Sequence, residues 1–349
     1  MSSVIGWDIG GVHLKAARAE HGRIVKAVQF AAPLRGGVDL LAAAFATAMA
    51  ELGPAQRHVA TMTGELADTF SSRAEGVERI AALAAREVGA APLAIYAGPA
   101  GYVAPAAAHR QAGLVASANW HACASYVAAR CGDALFVDMG STTTDVVAVV
   151  AGRVAAHGYS DAERLAAGEL VYTGVVRTFL MAGAERVPFK GAWTTLVNEN
   201  FANMADVYRV LGTLPAGADM MVTADGREKT REASLARLAR MVGADAADAG
   251  DAEWTAVAQW FAEVQVRRVT DAAMLCGSRR PLPAAAPVVA AGAGRSVVAE
   301  VARRLGRSEV AFDALIAATP EARTGASLCA PAAALALLAP ECAHKWFQM

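Results

Sequence analysis

At 349 residues, with 55% apolar and 19% charged side chains and a net charge of -1, the chain has the composition of a globular protein long enough for two cores. Its 32 Lys and Arg against 33 Asp and Glu are scattered, and the lack of a basic stripe excludes a nucleic-acid surface. Cys123, Cys131, Cys276, Cys329 and Cys342 form no Cys-x-x-Cys pair, which argues against a zinc knuckle or a disulfide framework and for buried thiols in a reducing cytoplasm.

The N-terminus enters a strand without a charged and then apolar leader, so no signal peptide is expected. Strands are predicted over Val4–Ile9, His13–Ala19 and Arg23–Phe30, with Gly22 turning the chain between the last two. A helix over Leu40–Leu52 stops at Gly53-Pro54, a short strand covers Val59–Thr61, and a polar loop follows from Met62 to Asp68. Next come a helix over Gly76–Val88 and a strand over Leu93–Ala97. An Ala-rich helix then runs to Ala129 after Ser117-Ala118-Asn119-Trp120-His121.

A second meander runs from Ala134 to about His157, with Thr143–Val150 as its middle strand, and Ser160 with Glu163 forms a capping box. Gly168–Gly226 lacks a clear period and is expected to carry substrate loops, with Glu169, Tyr172, Arg177, Asn198, Glu199, Asn203 and Asp225 as polar candidates. Trp254, Val257, Phe261, Val264 and Ala272 predict a long helix ending near Gly277. After it come a buried strand Val288–Ala291, a Gly292–Gly294 turn and a helix Ser296–Leu305. The apolar stretch from Pro331 to Pro340 is too short to span a bilayer and reads as a buried helix.

One segment is used twice. Asp8-Ile9-Gly10-Gly11 at the end of the first strand is answered by Asp138-Met139-Gly140-Ser141, and Gly22-Arg23 and Gly152-Arg153 follow at the same distance. Such a duplication suggests two related halves facing each other across a phosphate-binding cleft. The halves are expected at residues 1–125, joined by a C-terminal helix at about 326–349, and at residues 126–325. Glycine directly after a strand lets backbone N–H groups approach phosphate oxygens. Gly10 and Gly11 would do this in the first turn, with His13 and Lys15 on the returning strand to face the anion; in the second, Gly140 is followed by Ser141, Thr142, Thr143 and Thr144, which add hydroxyl donors, and Asp145 completes the phosphate-binding set.

Asp8 and Asp138, one at each strand end, suit Mg²⁺, which takes one or two carboxylates and keeps several waters. Asp145 of the second copy stands in the position that matches Lys15 of the first, so the two halves present opposite charges there. Gly292, Gly294 and Arg295 could add a third wall, although a plain strand-turn-helix explains that segment equally. Glu65, with Asp68, is either a base or a helix cap, and His121 reads as a satisfied core histidine.

These motifs resemble the acetate kinase, sugar kinase, Hsp70 and actin superfamily, with Asp8–Lys15 and Asp138–Asp145 as its two phosphate motifs. Phe136-Val137-Asp138-Met139-Gly140-Ser141-Thr142-Thr143-Thr144-Asp145-Val146 resembles its hydantoinase/oxoprolinase branch. Members of that branch are usually longer, and this chain looks too short for the full enzyme. The strings Met62–Asp68, Ser117–His121, Gly168–Gly174 and Thr223–Arg227 are similar to a smaller family in tetrahydromethanopterin-linked one-carbon metabolism.

The resemblance implies an α/β fold of the duplicated, ribonuclease H-like, actin-like ATPase kind. It also implies a methanofuran- or methylofuran-forming transferase. Such an enzyme joins an aminomethylfuran-methyl diphosphate to the phenol of a glutamyl-tyramine, tyramine or tyrosine acceptor and releases diphosphate. Asp8, Lys15, Asp138 and, as base, Glu65 would carry the chemistry. Mg²⁺ is the implied cofactor. ATP is less favoured, because His13 stands where the kinases carry Thr or Ser. Small molecules are the expected partners, with no nucleic acid and no membrane, and homo-oligomerisation is left open. The alternatives are an ATP-dependent small-molecule kinase, a lactam hydrolase, or a nucleotide-switched scaffold.

Overall fold

The structure, a computed structural model, describes residues 3–339. Cys342 and the end of the helix expected at 326–349 lie outside the described residues.

The chain opens with β1 (Ser3–Ile9), β2 (His13–Glu20) and β3 (Arg23–Ala31), the expected meander. Then come α1 (Val38–Leu52), β4 (Arg57–Met62), α2 (Arg73–Val88), β5 (Leu93–Tyr96) and β6 (Tyr102–Val103). The α2 helix starts earlier than the apolar period indicates, because the Ser72 hydroxyl accepts the Glu75 N–H and caps it. The sheet has the order β3-β2-β1-β4-β5-β6, with β1 antiparallel to β2 and parallel to β4.

Next are α3 (Ala112–Val115), α4 (Asn119–Arg130), β7 (Ala134–Met139), β8 (Thr144–Val150), β9 (Arg153–Val154) and α5 (Asp161–Ala167). Ser160 and Glu163 form the reciprocal capping bonds the sequence predicts, at 3.3 and 3.0 Å. The third strand of the second meander is shorter than expected, only β9. The hairpin turns match: His21 and Gly22 have φ of 50° and 73°, and Ala151 and Gly152 have 49° and 71°. Two left-handed residues in a row fit the twist of a tight hairpin, which accounts for the repeated glycine.

The region expected to be irregular contains β10 (Leu170–Val171), α6 (Leu180–Gly183), β11 (Arg186–Phe189), β12 (Ala192–Thr195) and α7 (Met204–Val210). After it come α8 (Arg231–Arg240), the long α9 (Asp251–Arg279), β13 (Val288–Ala291), α10 (Arg295–Arg304) and β14 (Glu309–Ala311). The described residues close with α11 (Phe312–Leu315), α12 (Arg323–Leu328) and α13 (Ala330–Leu338), so within them the expected C-terminal helix is broken at Cys329. The second sheet has the order β10-β8-β7-β13-β14, with β9 paired to β8. Among the described residues no helix is long and apolar enough to cross a membrane.

The compact units are Met1–Phe136 with Val147–Ala167 and Val310–Met349, and Val137–Val146 with Gly168–Glu309. The chain therefore passes between them inside β7 and again inside β8, whereas the repeat placed the division at 125/126.

In the first unit Ile5, Trp7 and Ile9 pack with Leu41 and Phe45 of α1 and with Val77 and Ile80 of α2. Val4, on the opposite face, packs with Val59, Ala122 of α4 and Leu335 of α13. Helices cover both faces, which is why β1 reads as an unbroken apolar run. In the second unit Trp254, Val257, Phe261, Val266, Val269 and Ala273 form the buried stripe of α9.

His58 of β4 accepts the Trp7 indole N–H at Nδ1, 3.1 Å away, and has no solvent exposure. Burial, with Arg18 adding to it, holds this imidazole down at about 4. A histidine whose folded value lies below its free value of 6.5 stabilises the fold above that pH and loses the contribution as the pH falls toward 4. Up to about 3 kcal/mol is expected to go over that interval. Glu65 and Asp8, whose carboxyls burial raises, act in the opposite sense over this interval, so the expected result is relative: from pH 7 to pH 4 the thermal midpoint of the wild type should fall more than that of a variant without the imidazole. His58→Gln, which can still accept from Trp7, should fall less steeply; an unchanged slope would contradict the assignment. His121, also held at about 4 by burial, contributes in the same sense.

Candidate functional site

The first turn lies within the first unit. The Gly10 N–H donates to the His13 carbonyl at 2.9 Å, and the Leu34 N–H donates to the Gly11 carbonyl at 3.0 Å. Gly10 has little room for a side chain, since a Cβ there would stand 2.9 Å from the His13 oxygen. Asp8 sits in register with Lys15 on β2 and with Thr61 on β4. Cross-strand partners project from one face of a sheet, so these three side chains share a face.

Asp8 is 5% exposed, and neither its Oδ1 nor the Thr61 hydroxyl has a hydrogen-bond partner. Burial pushes the Asp8 carboxyl up from the ordinary carboxylate range, while Lys15 pulls it back. A buried carboxylate oxygen left unsatisfied is costly unless something not made of protein meets it. The donor chemistry at Asp8 fits a hard divalent cation such as Mg²⁺ that brings its own waters. Among the described residues no group of three or more His, Cys, Asp or Glu could hold a metal ion.

The second turn lies within the second unit and repeats the same bond, from the Gly140 N–H to the Thr143 carbonyl at 2.9 Å. Its carbonyls are held from behind: Val175 N–H donates to Gly140 at 3.1 Å, and Val176 and Arg177 donate to Ser141 at 3.1 and 2.8 Å. Gly174 must be glycine there, because a Cβ would lie 2.5 Å from the Ser141 carbonyl carbon and the Thr142 nitrogen. The Thr144 hydroxyl donates to the Thr173 carbonyl at 2.7 Å, and Gln265 of α9 donates to the Thr173 hydroxyl at 2.7 Å. Tyr208 of α7 completes this bracing by donating to Gln265 at 2.6 Å.

Gly292 and Gly294 pack on the other side. The Gly294 N–H donates to the Met139 carbonyl at 2.8 Å, and a Cβ on Gly292 would meet Asp138 Oδ1 at 2.4 Å. Asp145 is in register with Leu170 on β10, and the Arg295 guanidinium lies 3.7 Å from the Glu309 carboxylate.

Glu65 occupies a 3-10 turn, Gly64–Leu66, just after β4. The loop leaves β4 against the first turn: Thr63 N–H donates to the Ile9 carbonyl at 2.9 Å, and a Cβ on Gly64 would stand 3.2 Å from the Gly10 oxygen. Gly76 lets α2 press on Glu65, since a Cβ there would be 2.7 Å from the Glu65 Cα. Glu65 is 1% exposed; its Oε1 accepts the Ser117 hydroxyl at 2.9 Å, and its Oε2 has no hydrogen-bond partner. Burial pushes this carboxyl up to about 7. Asp161 adds to the rise, and hydrogen bonds from backbone and Ser117, together with Arg73, oppose it. A carboxyl that changes charge near neutrality, beside a phosphate-type turn, is suited to moving a proton.

The structure thus joins Glu65 to the first turn, and Gly292 and Gly294 to Asp138. It also brings Met62–Asp68 and Ser117–His121 together, through the Glu65 to Ser117 bond and a bridge between Met62 and Ala116. His121 is a satisfied histidine, with Nδ1 2.8 Å from the Tyr96 hydroxyl.

Two polar candidates turn out to serve the fold. Asn203 caps α7 in a box with Asp206, and Asp225 accepts the buried Arg237 at 3.1 Å. Arg237 also donates to Asp206 at 2.7 Å, so the Thr223–Arg227 string closes an ion-pair network. Asp68 lies exposed, 3.8 Å from Arg35. Sequence reasoning passed over Ser117, Asp161 and Arg73 around Glu65. Ser117 alone carried a signal, as the first residue of a string already singled out.

Among relatives, a (4-{4-[2-(gamma-L-glutamylamino)ethyl]phenoxymethyl}furan-2-yl)methanamine synthase from Methanocaldococcus jannaschii is 34% identical over 185 residues, 53% of this chain and 56% of the relative. A synthase of the same name from Methanococcus vannielii is 36% identical over 111 residues, 32% of this chain and 50% of the relative. The match spans about half the length of each relative. The solved structure of a nucleotide-free acetone carboxylase superposes with a TM-score of 0.57 at 11% identity, covering 95% of this chain and 70% of that one. This likeness concerns the fold alone, and the duplicated actin-like α/β fold that the family resemblance implied is the fold of this chain. Residues 56–340, which include the Glu65 loop, the second turn and its glycine supports, match the hydantoinase/oxoprolinase family, and the chain belongs to it.

Proposed function

We propose that the protein is a transferase that joins a furanylmethyl diphosphate to the phenol of a tyramine- or tyrosine-type acceptor, giving an aryl ether and diphosphate. The observation that carries the reading is Glu65, buried beside the first turn and poised at about 7. A phenol loses its proton near ~10 in water, so ether formation is helped by a base within reach. Glu65 takes that proton as the phenol oxygen bonds to the furanylmethyl carbon, and the carbon–oxygen bond to diphosphate breaks with its electron pair leaving on the diphosphate. The phenoxymethyl-furan unit in the relatives' names is the ether this step would form.

Phosphate binding is assigned to Gly10, Gly11 and His13, and to Gly140, Ser141, Thr142, Thr143, Asp145, Gly292, Gly294 and Arg295. Lys15 offsets charge on the leaving group. Asp8 and Asp138 are the carboxylates that would hold Mg²⁺, which when bound supplies further neutralisation of the diphosphate. ATP is not favoured in this reading, since His13 stands where the kinases carry a small hydroxyl. Small-molecule substrates and a cytoplasmic location go with it.

Purified protein given furanylmethyl diphosphate, glutamyl-tyramine or tyramine, and Mg²⁺ should form the ether and equimolar diphosphate without ATP. Turnover should rise with pH through about 7, because the base is active only when ionised and burial sets its titration there. Absence of ether with every acceptor, or an absolute need for ATP, overturns the reading.

A further inference from the structure

A proton taken by Glu65 has no direct way out, since the side chain is 1% exposed. Its Oε1 touches one hydroxyl, that of Ser117, 2.9 Å away. The same hydroxyl lies 3.2 Å from Asp161 Oδ2, and that oxygen accepts Arg73 at 2.8 Å. The Asp161 side chain is 18% exposed and Arg73 is 42% exposed, so the chain of groups starts in the core and ends in water.

The backbone adds a second observation. Ser117 has a φ of 52°, in the left-handed region that glycine and asparagine adopt more readily than serine. Strain held at a residue whose hydroxyl bridges two carboxyls points to a use for that hydroxyl.

We propose that Ser117 and Asp161 form a proton path from Glu65 to solvent, resetting the base after each turnover. This rests on the reading of Glu65 as base. In the transfer the Glu65 O–H bond breaks as the Ser117 oxygen gains that proton. The original hydroxyl proton of Ser117 passes to Asp161 Oδ2 and then to water. No proton is created or lost, and Glu65 returns to its ionised form. Arg73 keeps Asp161 oriented toward the hydroxyl. The charged groups facing Glu65 are Asp161, which favours its protonated form, and Arg73, which opposes it.

Ser117→Gly tests this without endangering the fold, because glycine tolerates the backbone angle and the change removes no more than the small hydroxymethyl group. The variant should lose about ten- to a hundredfold in kcat with both KM values unchanged, and a small buffer base such as neutral imidazole, which accepts the proton, should restore part of the loss in proportion to its concentration. Independently of turnover, Glu65 can be titrated by its protonated-carboxyl infrared band, assigned with Glu65→Gln. That titration should move up in Ser117→Gly, which loses a hydrogen bond to the charged form, and down in Asp161→Asn, which loses a neighbouring negative charge.

Wild-type kcat in Ser117→Gly, or a loss that buffer bases do not relieve, overturns the path. Should the wild-type protein form no ether, the reaction assignment fails by itself. The path then stands if the two variants move the titration in opposite directions and falls if neither does.

Discussion

Asp8→Asn is expected to lower ether-forming turnover by a hundredfold to about a thousandfold while leaving the fold intact. The substitution keeps the shape of the side chain and removes its charge, so it separates a chemical role from a packing role. Asp8 is buried at the end of β1 with one carboxylate oxygen unmet by any hydrogen bond. In a folding sense that is a cost, and burial shows it by raising the carboxyl above its usual range.

The sign follows from linkage. An acid whose folded value is raised makes the protein lose stability as the pH rises above the unfolded carboxylate value, so the neutral variant should melt no lower than wild type at pH 7 and behave more favourably there than at pH 4. Diphosphate release and calorimetry at both pH values check the two halves of the expectation. Turnover within tenfold of wild type would remove Asp8 from the chemistry, and a lower melting point at pH 7 would mean that its carboxylate is a structural partner after all.

The largest loss of stability is expected from one methyl group, in Gly6→Ala. Gly6 pairs with Ala17 on β2 and Val59 on β4, and its open side faces α13. A Cβ there would stand 2.0 Å from the Ala332 carbonyl oxygen and 2.9 Å from the Ala336 nitrogen. Both are backbone atoms, so no rotamer change relieves the overlap and the whole helix must withdraw from the sheet. A loss of about 3 kcal/mol, the upper end for overpacking, is expected. Gly277→Ala in α9 is the control, since nothing lies within 4 Å of its added Cβ, and it should match or exceed wild type. Urea midpoints of the two variants decide the point; equal midpoints would show that α13 does not rest on Gly6.

Most local structure was legible because its causes are local. The apolar run of β1, the period of α9 and the capping box at Ser160 and Glu163 need only neighbours along the chain. The repeated Asp-x-Gly segment was legible for a related reason. Each copy builds the same bond, Gly10 to His13 and Gly140 to Thr143, and each hairpin needs the same left-handed pair. The irregular stretch from Gly168 to Gly226 was less legible, because its order comes from distant partners: Asp206 meets Ser234 and Arg237 across the turns between α7 and α8.

By itself the sequence determined the strand-turn elements, their duplication and the identity of the residues at each turn, since backbone angles and side-chain spacing act over a few residues. Only the tertiary structure decided what surrounds them. It set Asp8 in the interior with an unmet oxygen, put a helix backbone where Gly6 has no side chain, and brought Ser117 and Asp161 to Glu65 from distant parts of the chain. Burial and close approach depend on which segments fold against one another, and the proton chemistry of Glu65 follows from that burial.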